Sequence, residues 1–376
     1  MSASPTIVVA AGGTGGHMFP ALAVAAELRE RGCRVVILTD RRGARYVGTD
    51  GPDGWECRIV EAASPSGSLL QKLKGTWRLM RGARQARRLW SEVRPDAAAT
   101  FGGYASVPAA LAAALTRTPL LVHEQNAVFG RANRMIAKVA RIVALSFAQT
   151  RAAPKGDRVR VTGNPVRPGF GRPTSLEPKT GFGLLVLGGS QGARVFSDVL
   201  PAAIALLPDA LRQRLRLQQQ CRPEDLERVR AAYAQMGFAA ELAAFFNDVP
   251  ARMAGADMLL CRSGASTVAE LLMLGKPAIL IPYPFAADNH QDANAVELER
   301  AEAALRLPQS EATPERLAEM LAMLIAQPLR LDAMRRASAG IAWTDAAARL
   351  ADAVLAGVAE PAIRSSSAPT IRNSHS

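Results

Sequence analysis

The sequence has few aromatic residues and few cysteines, and it lacks several patterns that identify common sites. Four cysteines are scattered along the chain without a CxxC pair, so their spacing predicts neither a zinc site nor a disulfide framework. No DxD pattern occurs, so a metal ion that clamps a diphosphate would have no obvious ligands. We therefore expect no bound metal and no cofactor.

Also absent is a segment typical of a membrane span or a signal peptide. A strand-like run starts at Thr6, and no basic patch followed by an apolar core precedes it. Residues 97–116 carry no charge, but Gly102, Gly103 and Pro108 interrupt them. A strand, a turn and a helix of a buried α/β unit explain this stretch better than a membrane helix does. We expect a chain that stays in the reducing cytoplasm.

The length and the charge of the chain give two further expectations. At 376 residues the chain exceeds what one hydrophobic core usually supports, so two domains are predicted. The formal net charge of +13 favours polyanionic partners, such as nucleic acid, an anionic membrane face or phosphorylated substrates. No nucleic-acid recognition motif accompanies the charge, so we expect no nucleic-acid partner.

Short apolar runs alternate with helical patterns, which predicts βαβ units with parallel sheets. The candidate strands are residues 7–11, 34–38, 57–60, 97–101, 120–123, 142–145, 184–187, 215–218, 258–261 and 278–282. Residues 163–169 are dense in proline and glycine, and this linker continues through Pro173 and Pro178. The predicted fold class is α/β with two doubly wound domains, followed by a disordered tail at residues 359–376.

Two similar glycine-rich turns each follow a predicted strand and open a predicted helix. They lie at residues 12–16 and 188–192. Glycine lets the backbone adopt positive φ, and the start of the following helix favours a phosphate. Neither turn is a GxGxxG or a GxxxxGK[ST] pattern, so the NAD and ATP motifs are absent. Two such domains would bind a ligand between them, at the carboxyl ends of their strands.

The second turn also matches the GxSxG pattern of a serine hydrolase, with Ser190 as the nucleophile. Asp257 and His290 follow in a workable order for a catalytic triad. The first turn has the same shape with Thr14 in place of the serine, and a hydrolase would not need it. A serine hydrolase is therefore the less favoured alternative.

Residues 261–270 follow a strand and start a helix. Ser263, Ser266 and Thr267 can cap this helix and offer hydroxyls to a phosphate. Glu270, one turn further on, is placed to accept hydrogen bonds from ribose hydroxyls. An ordinary capped helix would also explain the pattern.

His17 stands at a helix start next to the first glycine turn. The helix dipole opposes the imidazolium form there, which suits a general base, although a buried structural histidine is the alternative. Polar loops at residues 123–126 and 282–291 also follow strands, where sugar-binding amides are useful.

Residues 69–90 combine an apolar stripe with a basic face, and no acidic residue interrupts them. This pattern is typical of a helix that lies on an anionic membrane surface. The alternative is a packed helix with a solvated basic face. The residues expected to contact the membrane are Leu69, Leu73, Lys74, Trp77, Arg78, Met80 and Arg81.

Together these segments resemble the MurG family of transferases, which add N-acetylglucosamine to lipid I to make lipid II. The matching segments occur in the family's order over nearly the whole chain. They are residues 12–17, 101–104, 123–126, 163–167, 188–194 and 261–264, with Glu270, Gln291 and Asn294. One departure is Cys221-Arg222, where the family usually has a glycine-containing turn.

The resemblance implies a GT-B fold, which is a pair of Rossmann-like domains with a cleft between them. Residues 1–163 and 341–358 would form the acceptor and membrane side, the final helix (about 341–357) crossing back, and residues 164–340 would bind the donor. The implied reaction transfers N-acetylglucosamine from UDP-N-acetylglucosamine to lipid I with inversion, without a metal, to give a β-1,4 linkage. The implied location is peripheral, on the cytoplasmic face of the bacterial inner membrane, near other cell-wall and division proteins.

The resemblance also assigns residues. Glu270 would hold the ribose, Phe246 would lie by the uracil, and His17 would be the base. The full set implied to bind the donor is Thr14, Gly15, Gly16, Asn126, Arg167, Ser190, Phe246, Ala265, Ser266, Thr267, Val268, Ala269, Glu270 and Gln291. Another UDP-sugar transferase of the same fold, and a sugar-nucleotide sensor without catalytic activity, remain alternatives.

Overall fold

The computed structural model describes residues 4–47, 54–62, 68–167, 169–170, 181–189 and 192–359. The side chains of residues 69–73 and 359 also lie outside the description. The predicted tail beyond residue 359, and Pro173 and Pro178 of the predicted linker, therefore fall on residues that are not described.

Strands and helices alternate along the chain, as the sequence predicts. The strands are β1 (Thr6–Ala10), β2 (Arg34–Thr39), β3 (Glu56–Ile59), β4 (Ala97–Thr100), β5 (Leu120–Glu124), β6 (Ile142–Leu145), β7 (Val159–Val161), β8 (Phe182–Leu187), β9 (Leu215–Gln220), β10 (Ala240–Ala243), β11 (Met258–Cys261), β12 (Ala278–Leu280) and β13 (Leu305–Arg306). The helices are α1 (Gly15–Glu30), α2 (Leu69–Val93), α3 (Ser106–Thr116), α4 (Arg131–Ile136), α5 (Arg194–Ala205), α6 (Asp209–Arg212), α7 (Leu226–Gln235), α8 (Val249–Gly255), α9 (Ala265–Leu274), α10 (His290–Arg300), α11 (Pro314–Ala326), α12 (Pro328–Ile341) and α13 (Ala346–Ala359).

The first sheet runs in the order β3-β2-β1-β4-β5-β6-β7, counting described residues, and its paired strands are parallel. Ile7 and Val9 of β1 pack on the face covered by α1 and α13. Val8 and Ala10 pack on the face covered by α2, α3 and α4. Because both faces of β1 are buried, its sequence is a continuous apolar run rather than an alternating one.

The second sheet runs in the order β10-β9-β8-β11-β12-β13 within the described ranges, again with parallel pairs. One face packs against α5, α7 and α11, and the other packs against α8, α9 and α10. The two sheets confirm the predicted α/β class with two doubly wound halves.

Three strands were missed by the sequence analysis, namely β7, β10 and β13. Each lies at the edge of its sheet. Their residues are mostly half-buried, so none of them presents a continuous apolar run. Short, half-exposed edge strands carry little hydrophobic pattern by which to predict them.

The two connections between the sheets meet at Gly163 and Trp343. Gly163 has φ of +77°, and a Cβ added to it would lie 2.2 Å from Cβ of Trp343. The final helix, expected at about 341–357, begins later, because α12 ends at Ile341 and Ala342 is extended, with φ of −75° and ψ of 133°. α13 starts at Ala346 and packs on the first sheet through Leu350 and Val354.

Candidate functional site

A cleft of about 1230 Å³ lies between the two sheets, where β1, β5, β8, β9, β11 and β12 end. This is the position expected for a ligand site in parallel α/β sheets. The predicted site residues that line it are Thr14, Gly15, Gly16, His17, Asn126, Arg167, Phe246, Ala265, Ser266, Thr267, Glu270 and Gln291. Ser190 lies outside the described residues. Val268 is instead buried in the core, and Ala269 does not line the cleft.

The first glycine turn is held by a second glycine pair, at Gly102 and Gly103. A Cβ added to Gly12 would lie 2.5 Å from Cβ of Ala105, and one added to Gly103 would lie 2.6 Å from the carbonyl oxygen of Gly12. This close approach requires glycine at both places and fixes the turn against the start of α3. The start of α1, which carries Thr14, Gly16 and His17, is thereby aimed into the cleft.

His17 lies in the first turn of α1, half-buried at the cleft. Its Nδ1 is 3.2 Å from Oε1 of Gln125. Burial lowers the pKa of His17 and outweighs the nearby Glu124 carboxylate, which raises it. The imidazole is therefore neutral at physiological pH and able to accept a proton.

Glu124 and Asn294 hold Asn126 from the two sides of the cleft. The Glu124 carboxylate accepts hydrogen bonds from the backbone nitrogen of Asn126 at 3.0 Å and from its Nδ2 at 3.1 Å. From α10 in the second half, Nδ2 of Asn294 donates to Oδ1 of Asn126 at 3.1 Å, and Oδ1 of Asn294 accepts from the Ala127 nitrogen at 2.8 Å. Asn126 is thus oriented by both halves of the molecule.

Glu270 is buried in α9 and forms an ion pair with Arg167 of the connecting segment. The Nε–Oε1 distance is 3.1 Å. Burial raises the pKa of Glu270 to about 7, although Arg167 lowers it. The Arg167 guanidinium also stacks 4.7 Å from the Phe19 ring of α1. Arg167 therefore links α9 to α1 in the first half of the molecule.

The start of α9 differs from the expected capped helix. Gly264 is the N-cap, and no side chain caps the helix. Ser263, predicted as a cap, instead donates from Oγ to the carbonyl oxygen of Gln291 at 2.8 Å. Oγ of Ser266 is buried and has no hydrogen-bond partner among the described residues. The backbone N–H groups of this helix start are therefore available to an anion.

The second glycine turn is fastened by Gln220, at the end of β9. Oε1 of Gln220 accepts from the Gly188 nitrogen at 3.1 Å, and its Nε2 donates to the Gly189 carbonyl at 3.1 Å. Cys221-Arg222, the departure from the family pattern noted in the sequence, comes directly after Gln220. Arg222 lines the cleft, and its Nε lies 2.8 Å from Asp225. Arg222 also pairs with Glu224 at 3.1 Å, so its charge is shared with two carboxylates.

The structure contradicts the triad of the hydrolase alternative. His290 lines the cleft, but Oδ2 of Asp257 accepts from the backbone nitrogen of Gly183 at 2.7 Å, at the opposite end of β8. Roughly 13 Å of strand β11 separates Asp257 from the cleft. Asp257 and His290 therefore cannot act as a pair on Ser190.

Two further expected donor contacts differ in their accessibility. Gln291 lines the cleft, and its Oε1 accepts from the Tyr283 nitrogen at 3.0 Å. Phe246 is almost fully buried beneath the Arg252 guanidinium, 4.2 Å from the ring centre. The neighbouring Phe245 is 63% exposed in the same cleft. Phe245 was not predicted from the sequence, although the two adjacent aromatic residues after β10 were the available sign.

Most of the charged side chains that line the cleft are arginines. Arg167, Arg194, Arg222 and Arg262 all line it. No group of three or more histidine, cysteine or acidic side chains suited to a metal ion occurs within the described ranges.

Helix α2 is buried on one side and exposed on the other. Ala86, Leu89 and Trp90 pack into the core, whereas Trp77 and Met80 are 53% and 52% exposed. Lys74, Arg78 and Arg81 are exposed as well, and Arg81 pairs with Glu61 at 3.1 Å. The side chains of Leu69 and Leu73 lie outside the description. No described helix is both long and apolar enough to cross a membrane.

Comparison with known proteins identifies both halves. Residues 7–145 match the glycosyltransferase family 28 N-terminal domain, and residues 183–350 match the family 28 C-terminal domain. The chain is also similar in structure to the crystal structure of Acinetobacter baumannii MurG. The TM-score is 0.77 at 30% identity, over 94% of this chain and 99% of that one.

Two curated relatives share about half of their residues with this chain. Both are called UDP-N-acetylglucosamine–N-acetylmuramyl-(pentapeptide) pyrophosphoryl-undecaprenol N-acetylglucosamine transferase. The Rhodospirillum rubrum protein is 48% identical over 93% of this chain and 91% of its own length. The Methylobacterium nodulans protein is 49% identical over 97% of this chain and 99% of its own. The chain therefore belongs to the MurG family of N-acetylglucosamine transferases within glycosyltransferase family 28.

Proposed function

We propose that this chain transfers N-acetylglucosamine from UDP-N-acetylglucosamine to the muramyl 4-hydroxyl of lipid I, which produces lipid II for peptidoglycan. One observation carries the proposal. A single cleft joins a neutral histidine of the first half, His17, to an uncapped helix start and a buried carboxyl of the second half, α9 and Glu270. The names of the relatives supply the donor and the acceptor.

The donor occupies the side of the cleft formed by the second sheet. The N–H groups at the start of α9 and the hydroxyl of Ser266 face its diphosphate, and Glu270 and Arg167 hold the ribose. Asn126 and the Gln291 side chain contact the sugar. The uracil lies by Phe246. The other proposed contacts are Thr14, Gly15, Gly16, Ser190, Ala265 and Thr267.

The chemistry is an inverting displacement at C1 of N-acetylglucosamine. His17 takes the proton of the acceptor hydroxyl as its oxygen bonds to C1, and the bond from C1 to the UDP oxygen breaks with its electron pair. The charge that develops on UDP is met by the start of α9 and by the cleft arginines, in place of a metal ion. Attack opposite the leaving group gives the β-1,4 linkage.

The membrane side is the outer surface of α2, α3 and α4, which cover one face of the first sheet. Its exposed apolar residues are Trp77, Met80, Leu111, Leu115, Met135 and Val139. Exposed cations on the same surface include Lys74, Arg78 and Arg84 of α2 and Lys138, in the turn after α4. We call this the α2–α4 surface, and propose that it docks the enzyme peripherally on the cytoplasmic face of the inner membrane.

The same division of labour supports the domain assignment made from sequence. Residues 1–163 with 341–358 form the acceptor and membrane side, and residues 164–340 form the donor side. α13 belongs with the first sheet because Leu350, Ala351 and Val354 pack in that core.

The mechanism is tested on the product and on the metal requirement. Purified protein is incubated with UDP-N-acetylglucosamine and a short-chain lipid I analogue, with and without EDTA. We expect a disaccharide product whose new linkage is β by proton NMR, at a rate that EDTA leaves unchanged. An α linkage would contradict inversion, and loss of activity in EDTA that Mg²⁺ restores would contradict the metal-free mechanism.

A further inference from the structure

His17 has two ring nitrogens, and only one without a proton can receive the proton of the acceptor hydroxyl. Nδ1 faces inward, 3.2 Å from Oε1 of Gln125 and beside the backbone of Gly102. The Phe101 backbone also hydrogen-bonds to the ring and raises its pKa, whereas no side chain of the described residues hydrogen-bonds to Nε2 of His17. Which nitrogen carries the proton therefore depends on the end of the Gln125 amide that meets the ring.

The orientation of the Gln125 amide is dictated by two backbone carbonyls. Its Nε2 lies 2.9 Å from the carbonyl oxygen of Phe101 and 3.3 Å from that of His123. Both oxygens only accept hydrogen bonds, so this end of the buried amide must be the NH₂ group. The reversed amide would place an oxygen against two oxygens. Oε1 of Gln125 consequently faces His17, and Nδ1 of His17 must donate to it.

His123 extends the same network towards the connection between the two sheets. Its Nε2 is 3.0 Å from the carbonyl oxygen of Gly163, and its Nδ1 is 3.2 Å from Nε2 of Gln125. Since the Gly163 carbonyl only accepts, Nε2 of His123 carries the proton and Nδ1 accepts from Gln125. Burial lowers the pKa of His123 to about 4, which keeps it neutral and preserves this direction.

We propose that Gln125 is a positioning residue that holds His17 in its Nδ1–H form and leaves Nε2 free to accept the proton of the acceptor hydroxyl. The inference rests on the proposed role of His17 as the base. The hydrogen bonds run in one direction, from His17 through Gln125 and His123 to the Gly163 carbonyl. The base is thus fixed by the backbone that joins the two halves of the molecule.

The charged groups around His17 act on its pKa but do not choose its tautomer. Glu124 raises that pKa, whereas His290 on the donor side lowers it. None of the hydrogen bonds in the described ranges joins either side chain to the His17 ring. Gln125 is the side chain that makes the choice, through its amide oxygen at Nδ1.

The tautomer is measured directly in the resting protein by ¹⁵N NMR after selective labelling of histidine. The chain has four histidines, and a His17→Gln sample assigns the relevant signals. For the wild type we expect a neutral His17 with its proton on Nδ1. Gln125→Met keeps the length of the side chain but removes the amide group that donates and accepts these hydrogen bonds. In that variant we expect a shift towards the Nε2–H form, which a free imidazole prefers.

A kinetic measurement separates positioning from general damage. Gln125→Met should lower kcat about tenfold or more and leave the KM for UDP-N-acetylglucosamine within about twofold, because it removes base alignment rather than donor binding. Gln218→Met is the matched control. Gln218 bonds Glu241 at 2.8 Å outside the cleft, and this variant should leave the tautomer and kcat unchanged.

The possible outcomes distinguish this inference from the proposed function. A wild type that transfers the sugar while His17 carries its proton on Nε2 would overturn the role of Gln125 and leave the function standing. The expected tautomer without any transfer would overturn the function and leave the positioning geometry supported. If Gln125→Met does not fold, the tautomer of the wild type still decides the question.

Discussion

Glu270 is the cleft residue whose burial has the clearest energetic consequence. It is 6% exposed, and a carboxylate in such a place is disfavoured relative to the neutral acid. Its pKa is raised to about 7 by burial, against the opposing effect of Arg167. A group that destabilises the fold when ionised is expected where ligand binding takes precedence over stability.

The raised pKa of Glu270 gives a pH-dependent stability. The native pKa of about 7 exceeds the ordinary value of 4.5, so the folded state binds more protons and wild-type stability falls as the pH rises through this window. Glu270→Gln has no carboxyl group at this position, so its stability does not fall in this way. Relative to the wild type, its free energy of unfolding should rise by roughly 2–3 kcal/mol between pH 5 and pH 8. Urea unfolding without ligand measures this difference, and Glu311→Gln, at an exposed glutamate, is the control. A difference that does not change with pH would contradict the prediction.

Single residues were predictable where a motif fixed their position in the chain. Thr14, Asn126 and Gln291 lie in the cleft as expected. Ser263 was assigned wrongly, because its hydroxyl reaches α10 rather than the start of α9. The role of Gln125 was not predictable, because its amide is oriented by carbonyls that belong to other segments.

At the scale of elements, buried strands were predictable and edge strands were not. β1 and β11 are apolar throughout because both of their faces are covered. β10 alternates, with Leu242 packed against the core and Glu241 exposed, so its four residues gave too short a pattern. The order of strands within each sheet depends on the packing of helices and was not read from the sequence.

Helix α2 shows how one element serves both the core and a surface. Its last turns bury Leu89 and Trp90, while Trp77 and Met80 remain outside. Leu115 on α3 and Val139, in the turn after α4, are exposed on the outer side of the same sheet face. Several helices form this apolar surface together, so a search of the sequence for one amphipathic segment does not find it.

The α2–α4 surface should bind anionic membranes. Trp77→Glu places a negative charge within it and removes a large apolar side chain. We expect binding to anionic vesicles, measured by sedimentation, to weaken about tenfold and wild-type binding to weaken in high salt.

Leu329→Glu is the control for this prediction, because Leu329 is 83% exposed on α12, away from that surface. It should bind vesicles as the wild type does. Equal binding by the wild type and both variants would remove the α2–α4 surface from the account.

At the scale of the whole molecule, the two halves are joined where Gly163 and Trp343 meet. The proline- and glycine-rich linker was predictable, but its contact with Trp343, far along the chain, was not. The same glycine receives the hydrogen bond from His123, so the junction of the two halves also supports the network behind His17.

Gly163→Ala tests this junction. The added Cβ would lie 2.2 Å from Trp343 in a backbone with φ of +77°, whereas Gly32, with φ of +81°, has open space around it. Gly32→Ala should therefore cost about 1–2 kcal/mol from backbone strain alone. Gly163→Ala should cost about 1–3 kcal/mol more because of overpacking. Urea unfolding compares the two, and equal costs would show that the contact with Trp343 does not constrain the junction.

The central claim is that one cleft couples a base from the first half to a donor held by the second. The most direct measurement is transfer of radiolabel from UDP-N-acetylglucosamine to a short-chain lipid I analogue, by the wild type and by His17→Ala. We predict labelled lipid II only when the acceptor is present. For His17→Ala we predict a kcat that is lower by roughly 10²–10⁴-fold, with donor binding retained. A folded wild type that binds UDP but transfers no label, or a His17→Ala variant with full activity, would contradict the account.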